Sequence, residues 1–314
     1  MTSPVVSIVI PAYNLGQYLG QAIESVLNQD YPHIELIVLD DGSTDNTRDV
    51  LGRYADRIYA ECQPNMGQVK TLNKGWLMSK GDILGFISAD DALLPGAVRR
   101  AVESLDANSD AVLTYCDFRQ IDGDSRIIRY VRTPDFSYDD MLLNTVCPPG
   151  PGAFFRRSAY EAAGLWDDSL RIMLDYDYWL RLGLAGRFVR IPEALALYRV
   201  HSTSQTFAGV DESRAEEPVL IVSRMFDRPD LPKRLLRQKA QALSSANLVS
   251  AQINFRAGRP RVGFLRLRTA FSLHPQNFAT IRSLRILLNV LFNRFGHRLL
   301  YRVRRLLDRR ELVH

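Results

Sequence analysis

The chain has 314 residues, 46% of them hydrophobic and 24% charged, which is the composition of an ordinary soluble globular protein, one large domain or a domain with an appendage. Its three cysteines, Cys62, Cys116 and Cys147, are widely spaced, odd in number and match no zinc pattern, which excludes a disulfide framework and points to a reducing compartment. The net charge of +5 divides sharply: residues 233–314 carry 18 Lys+Arg against 2 Asp+Glu, a net of +16, and residues 1–232 carry 22 against 33, a net of −11.

In chain order, "VVSIVI" (Val5 to Ile10) reads as a strand buried on both faces. Leu15, Tyr18, Leu19, Ala22, Ile23, Val26 and Leu27 then recur at helical spacing. "ELIVLDDGS" is a second buried strand, and Thr44 is the candidate N-cap of the helix after it. Ile58 to Cys62 reads as a short strand and Gly67 to Ser79 as a helix. A third apolar strand covers Asp82 to Ile87. Pro95 to Leu105 reads as a helix with proline in its first turn, and Asp110 to Tyr115 as a fourth strand.

Strands alternating with helices predict an α/β fold with a mostly parallel sheet, whose ligands bind beyond the carboxyl ends of the strands. Beyond residue 116 the pattern loosens. "RIIRYVRT" predicts a strand, Ser137 to Leu143 a short helix, "CPPGPGAFF" a rigid loop, and Tyr160 to Leu165 a helix closed by Gly164. "LDYDYWLRLGLAG" is a helix and "RIPEALALYRVHSTSQT" a strand leading into a polar loop. From Lys233 the chain reads as all-helical, with one hairpin like a tetratricopeptide repeat and a later segment, Phe295 to Leu307, apolar on one face and arginine-rich elsewhere. No secretory leader is visible and no uncharged stretch reaches bilayer length, so the expected location is the cytoplasm or the cytoplasmic face of the inner membrane.

Acidic and aromatic residues gather just after the strands. "PAYN" (Pro11 to Asn14) is a turn whose Tyr13 offers a flat face to a nucleobase. "DDGSTD" (Asp40 to Asp45) is a turn with a helix cap, or a carboxylate that accepts an N–H from a uracil or thymine ring. In "SADD" (Ser88 to Asp91) an acid caps the next helix, or Asp90 and Asp91 hold a hard cation that relieves their repulsion. "DYDYW" (Asp175 to Trp179) is a solvated helix start, or a carboxylate desolvated by neighbouring aromatics and so suited to act as a general base. In "YRVHSTSQT", Arg199 and His201 read as contacts to a diphosphate or its metal, against a purely structural histidine. No GxGxxG, Walker A, HExxH or GxSxG sequence is present.

Together and in this order, "VSIVIPAYN", "LIVLDDGSTD", "PNMGQVKTLNKGW", "GDILGFISADD", "GAFFRRSAYEAAGLWDDSL", "LDYDYWLRL" and "YRVHSTS" resemble family 2 of the inverting nucleotide-sugar glycosyltransferases, which has the GT-A fold. The resemblance covers roughly residues 5–206. It implies that Tyr13 stacks on the base, that Asp41 accepts the N3–H of that base, and that Asp90 reaches the ribose or the metal. It makes Asp91 the main protein ligand of Mg²⁺ or Mn²⁺ on the diphosphate and Asp175 the catalytic base. Leu174 stands where the family more often has Glu, which keeps Asp177 as the alternative base. Pro11 and Asn73 complete the candidate nucleotide contacts, His201 the metal site, and Arg199, Asp177 and Trp179 the substrate or diphosphate side.

The organisation expected is a catalytic domain over residues 1–232, with a nucleotide half to about 116 and an acceptor half over 117–210, followed by a basic helical region over 233–314. The function expected is inverting transfer of a sugar from a UDP- or dTDP-sugar to a glycan or lipid-linked acceptor in cell-surface polysaccharide or glycolipid synthesis. Its rivals are a sugar nucleotidyltransferase, which wants a basic glycine-rich loop that "PAYNLGQ" lacks, and a non-catalytic nucleotide-sugar scaffold. The basic C-terminal helices suit an anionic membrane surface, an acidic partner or the catalytic domain, and nothing in the chain reads as a nucleic-acid module.

Overall fold

A computed structural model describes residues 3–201 and 211–279. Residues 3–141 with 146–201 form one compact unit, and 142–145 with 211–279 a second. The elements follow the expected alternation: β1 (Val6–Ala12), α1 (Gly16–Leu27), β2 (Ile34–Asp40), α2 (Thr47–Gly52), β3 (Tyr59–Cys62), α3 (Gln68–Met78), β4 (Ile83–Phe86), β5 (Ala92–Leu93), α4 (Ala97–Ala107) and β6 (Ala111–Ile121). Then come β7 (Ile127–Val131), α5 (Tyr138–Asn144), β8 (Phe154–Arg156), α6 (Arg157–Ala163), α7 (Leu174–Leu182) and β9 (Arg187–Arg199). β1 is buried at every position, as an apolar run flanked by strands on both edges and helices on both faces must be. The stripe of Leu19, Ala22, Ile23 and Val26 turns α1 onto that sheet, into a core shared with Ile8, Ile10, Val98 and Leu105.

The sheet differs from the mostly parallel one expected. Its order is β3-β2-β1-β4-β8-β6-β9-β5, with β7 beside β6. β3, β2, β1 and β4 are mutually parallel and β6 is parallel to β9, but β8 runs antiparallel to both β4 and β6, β5 to β9, and β7 to β6. The cause lies in the connections. Helical crossovers join β1, β2, β3 and β4 in turn, whereas β4 passes to β5 by a short loop and β6 to β7 by a hairpin, and such connections let strands reverse. β6 also runs unbroken through residue 116, so the nucleotide and acceptor halves expected on either side of it share one strand and one sheet.

Two local expectations change. Thr44 does not cap α2: its amide and hydroxyl go to Asn14 Oδ1, and Asp45 Oδ1 takes the Thr47 amide and hydroxyl at 3.0 and 2.5 Å. Pro95 lies before the first turn of α4, whose N-cap is Gly96 in the left-handed conformation. Beneath α3, α6 and α7 lies an aromatic cluster whose extent the periodicity did not predict. Trp76 is its centre, with Phe86, Phe155, Tyr160, Trp166 and Tyr178 at centroid distances of 5.4–6.0 Å.

The second unit contains α8 (Glu212–Ala215), α9 (Glu217–Phe226), α10 (Lys233–Leu236), α11 (Lys239–Arg256) and α12 (Pro260–Leu273). The boundary expected at 232/233 therefore moves earlier, because the buried Ile221 and Val222 stripe of α9 packs with α11; charge changes at Lys233, but packing does not. α11 and α12 form the expected helical hairpin. Its seam is small and polar: Ser244 Oγ donates to the Ala270 carbonyl at 2.8 Å, and Asn277 Nδ2 donates to Ser245 Oγ at 3.0 Å. Among the described residues no helix is long and apolar enough to cross a membrane. The arginine-rich segment from Phe295 to Leu307 lies outside them.

Candidate active site

The carboxyl ends of β1, β2 and β4 carry the three motifs, and side chains stitch their loops together. Ser43 Oγ accepts the Asn14 amide at 2.9 Å, Asn14 Oδ1 accepts the Thr44 amide at 2.8 Å, and Asp45 Oδ2 accepts the Gly16 amide at 2.9 Å. Gly16 admits no side chain there, since a Cβ would lie 2.3 Å from Asn46 Oδ1 and 2.7 Å from the Thr47 nitrogen. Pro11 is buried within β1, and Tyr13 follows its carboxyl end, 50% exposed.

Asp41 is buried beneath that mouth. Its Oδ1 accepts Gln63 Nε2 at 3.1 Å and the Met66 amide at 2.8 Å, and its Oδ2 accepts the Gly67 amide at 2.9 Å. Three of its roughly four acceptor positions are thus filled by the 63–67 loop, leaving about one for a base N–H. Asn73 is turned away from the nucleotide side: Nδ2 donates to the Trp166 carbonyl and Oδ1 accepts the Trp166 amide, both at 3.0 Å, fastening α3 to the loop before α7.

The acidic pair separates into two environments. Asp90 Oδ2 lies 2.9 Å from His201 Nε2, and the His201 ring stands 5.1 Å from the ring of Tyr18. Asp91 points inward instead, where its Oδ1 accepts the Arg199 amide at 2.8 Å. Burial and the neighbouring Asp90 charge hold the Asp91 carboxyl well above the usual carboxylate range. The two carboxylates therefore have different partners, Asp90 the His201 ring and Asp91 the Arg199 amide. The two atoms, Asp90 Oδ2 and His201 Nε2, stand at hydrogen-bond distance, and a carboxylate beside an imidazole nitrogen is a donor set that would suit a divalent cation. No cluster of three or more metal-binding side chains occurs among the described residues.

Arg199 is not a diphosphate contact. It is 1% exposed, and its guanidinium is spent on internal acceptors: Nε on the Asp90 carbonyl (2.8 Å), one terminal nitrogen on the Asp122 carbonyl and Ser125 Oγ (both 2.9 Å), the other on Gln21 Oε1 (2.5 Å). Its Cζ also sits 4.5 Å over the Tyr18 ring. Arg199 therefore holds the Asp90 backbone, and Tyr18 beside His201, in place. Arg199→Lys keeps the charge but loses the planar fork, and is expected to lower unfolding free energy by about 3 kcal/mol, read by urea denaturation. Unchanged stability would remove this role. Sequence reasoning missed Gln21 and Tyr18 as partners here; their only signal is a spacing of three residues on α1, which also fits an ordinary buried stripe.

The two acids of α7 also part. Asp177 is buried and paired with Arg181 at 2.9 Å, an internal i,i+4 bridge, and Trp179 belongs to the aromatic cluster rather than to a substrate surface. Asp175, at the first turn, is partly buried; desolvation raises its carboxyl pKa above the ordinary value, and the Tyr176 amide on Oδ1 at 2.8 Å only partly offsets this. Its charge reaches the Cys147 thiol, in the loop that enters β8. β8 runs antiparallel to β4, so that loop lies at the same end of the sheet as the Asp90 turn. The hydroxyls of Ser202 to Thr206 lie outside the described residues. A separate open cavity of about 580 Å³, lined by Met66, Lys70, Lys74, Leu77, Trp166 and Asp168 among others, includes none of Tyr13, Asp90, Asp175 or His201.

Comparison with known proteins bears on family and fold. The family model described as glycosyl transferase family 2 matches residues 7–164. An uncharacterized glycosyltransferase of Rickettsia typhi is 32% identical over 219 residues, 67% of this chain and 68% of that protein. Chondroitin synthase of Pasteurella multocida is 27% identical over 222 residues, 69% of this chain but 23% of that much longer protein. The crystal structure of residues 1–349 of S. aureus TarS in complex with UDP-GlcNAc superposes with a TM-score of 0.63 at 16% identity, covering 87% of this chain and 92% of that one, a likeness of fold.

Proposed function

The chain belongs to glycosyl transferase family 2, a glycosyltransferase of GT-A architecture, and from that premise we propose that it transfers a sugar with inversion from a UDP- or dTDP-sugar to an acceptor hydroxyl in polysaccharide or glycolipid assembly. The observation that carries the reading is the Asp90–His201 pair at a strand-end crevice, with a desolvated Asp175 at the same end of the sheet. The relatives support it: one is a chondroitin synthase, and one solved neighbour holds UDP-GlcNAc.

Each residue has a distinct task. Tyr13 stacks on the base, and Asp41 keeps the 63–67 loop beneath it and offers its remaining lone pair to the base N3–H. Asp90 and His201 hold a divalent cation, Mn²⁺ or Mg²⁺, which when bound neutralises the charge that grows on the departing diphosphate. Asp175 Oδ takes the proton of the acceptor hydroxyl as that oxygen attacks the anomeric carbon from the face opposite the diphosphate; one attack from one side inverts the centre. Desolvation suits Asp175 to this work because it strengthens the carboxylate as a base. The acceptor is a glycan or lipid-linked saccharide, and the basic helical region is a candidate contact to the cytoplasmic face of a membrane. The test is nucleoside-diphosphate release over a panel of UDP-, dTDP- and GDP-sugars with and without Mn²⁺. Metal-dependent release from a UDP- or dTDP-sugar, with product of inverted anomeric configuration, is expected; turnover of GDP-sugars alone, retention, or metal independence would refute the corresponding part.

A further inference from the structure

The hairpin of β6 and β7 has no role in the chemistry above, yet its surface is unusual. β7 pairs only with β6, and Ile127, Ile128 and Tyr130 are 61%, 52% and 54% exposed. Consecutive isoleucines point to opposite faces of a strand, so neither face of this ribbon is covered. Arginines interleave with them: Arg129 and Arg132 on β7 and just beyond it, and Arg119 opposite Tyr130 on β6, all exposed. Among the described residues no carboxylate pairs with any of the three. The acids nearby are otherwise engaged: Asp122 Oδ1 accepts the Asp124 and Arg126 amides, Asp124 pairs with Arg126, and Asp117 is taken up by Arg190, Thr133 and the Tyr130 hydroxyl.

We infer that this hairpin docks on an anionic bilayer surface, with Ile127, Ile128 and the Tyr130 ring at the headgroup–acyl boundary and Arg119, Arg129 and Arg132 on lipid phosphates. A lone edge strand with bare isoleucines is an aggregation hazard in water, and arginine alone would be enough to guard it. The combination of exposed aliphatics, an amphipathic tyrosine and three guanidinium groups without a carboxylate partner among the described residues, Arg129 donating only to the neutral Gln120 Oε1 at 2.7 Å, is instead what an interface rewards, since apolar tips partition into it and cations are drawn to its negative surface. The base of the ribbon is fixed by Asp117, and its turn is fixed by Arg199, which binds the Asp122 carbonyl and Ser125 Oγ with the guanidinium that also holds the Asp90 carbonyl. A bilayer touching β7 therefore meets a rigid surface anchored directly to the crevice. The hairpin belongs to the first unit and the basic C-terminal region to the second, and the inference does not depend on the identity of the donor sugar.

The test uses the full chain with Cys62 and Cys147 replaced by serine, Ile128→Cys carrying an environment-sensitive NBD label, and vesicles of phosphatidylcholine with or without 30% phosphatidylglycerol (about one lipid in three, enough for a strongly negative surface). With phosphatidylglycerol the label is expected to brighten, shift to the blue and be quenched by brominated acyl chains; without it, no change. Ile127→Ser with Ile128→Ser, and Arg129→Glu with Arg132→Glu, are each expected to weaken co-sedimentation about tenfold or more at unchanged thermal stability. A label that stays unchanged while the protein sediments with vesicles assigns membrane binding elsewhere and overturns the inference. So does a label that shifts with protein concentration in the absence of vesicles, which would mark edge pairing between two copies.

Discussion

Asp175→Asn is expected to lower the turnover number by about 10²–10⁴-fold while leaving the binding of UDP with Mn²⁺ within about twofold of the parent, because it removes a proton acceptor without touching the cation pair or the base platform. Asp177→Asn separates the two acids of α7. It leaves Arg181 without its carboxylate in a buried setting, so its effect is expected on stability, a loss of about 3 kcal/mol or more, with turnover per folded molecule largely kept. The pH profile gives a third reading. Burial raises Asp175, and a base works only when ionised, so kcat/KM at saturating metal should fall as pH drops through a midpoint above the ordinary aspartate value of about 4. Nucleoside-diphosphate release and thermal denaturation on the same preparations measure all three. Parental turnover in Asp175→Asn would remove it as the base, and loss of turnover without loss of stability in Asp177→Asn would transfer the role there.

Asp90→Asn and His201→Ala are each expected to weaken Mn²⁺ binding in the presence of UDP by at least about tenfold and to reduce metal-supported turnover by about 10² or more, since each removes one of the two ligand atoms proposed for the cation. Asp91→Asn should behave differently. The amide oxygen of asparagine can still accept the Arg199 N–H, so metal affinity is expected to stay within a few-fold of the parent. Titration calorimetry with MnCl₂ and UDP checks the set. If Asp91→Asn loses the metal while His201→Ala keeps it, the cation belongs to Asp91 after all.

Much of this site was legible because strand-end chemistry is local. An apolar run that stops at "PAYN", "DDGS" or "SADD" announces both a buried strand and a polar loop beyond its carboxyl end, and β1, β2 and β4 lie where those runs stand. Direction of side chains was not legible. Asp90 and Asp91 are adjacent and identical in type, and only the fold sends one to a histidine 111 residues away and the other to the Arg199 amide. Arg199, Asn73, Asp177 and Trp179 were read as site residues from their neighbours in sequence, yet each is consumed by an internal partner that no spacing rule predicts: Gln21 and Asp90, Trp166, Arg181, and the aromatic cluster. The mixed sheet was hidden for a related reason, since a three-residue strand such as β8 carries too little pattern to show its direction.

The late position of β9 bears on how the molecule comes into being. During synthesis the chain emerges at about 5–20 residues per second, and the β1–β4 core is complete long before the last strand exists. Until Phe154–Arg156 arrives, β4 has an open edge; until Arg187–Arg199 arrives, so has β6, and Asp90 has no partner. β9 closes the sheet by pairing with both β6 and β5, and the same step delivers the Asp91 clamp and the histidine. A ribosome-bound or truncated chain can therefore own a nucleotide platform without a cation site. If Asp90 and His201 hold the cation as proposed, finishing the sheet and completing its site are one event, and divalent ions should pull that final closure forward.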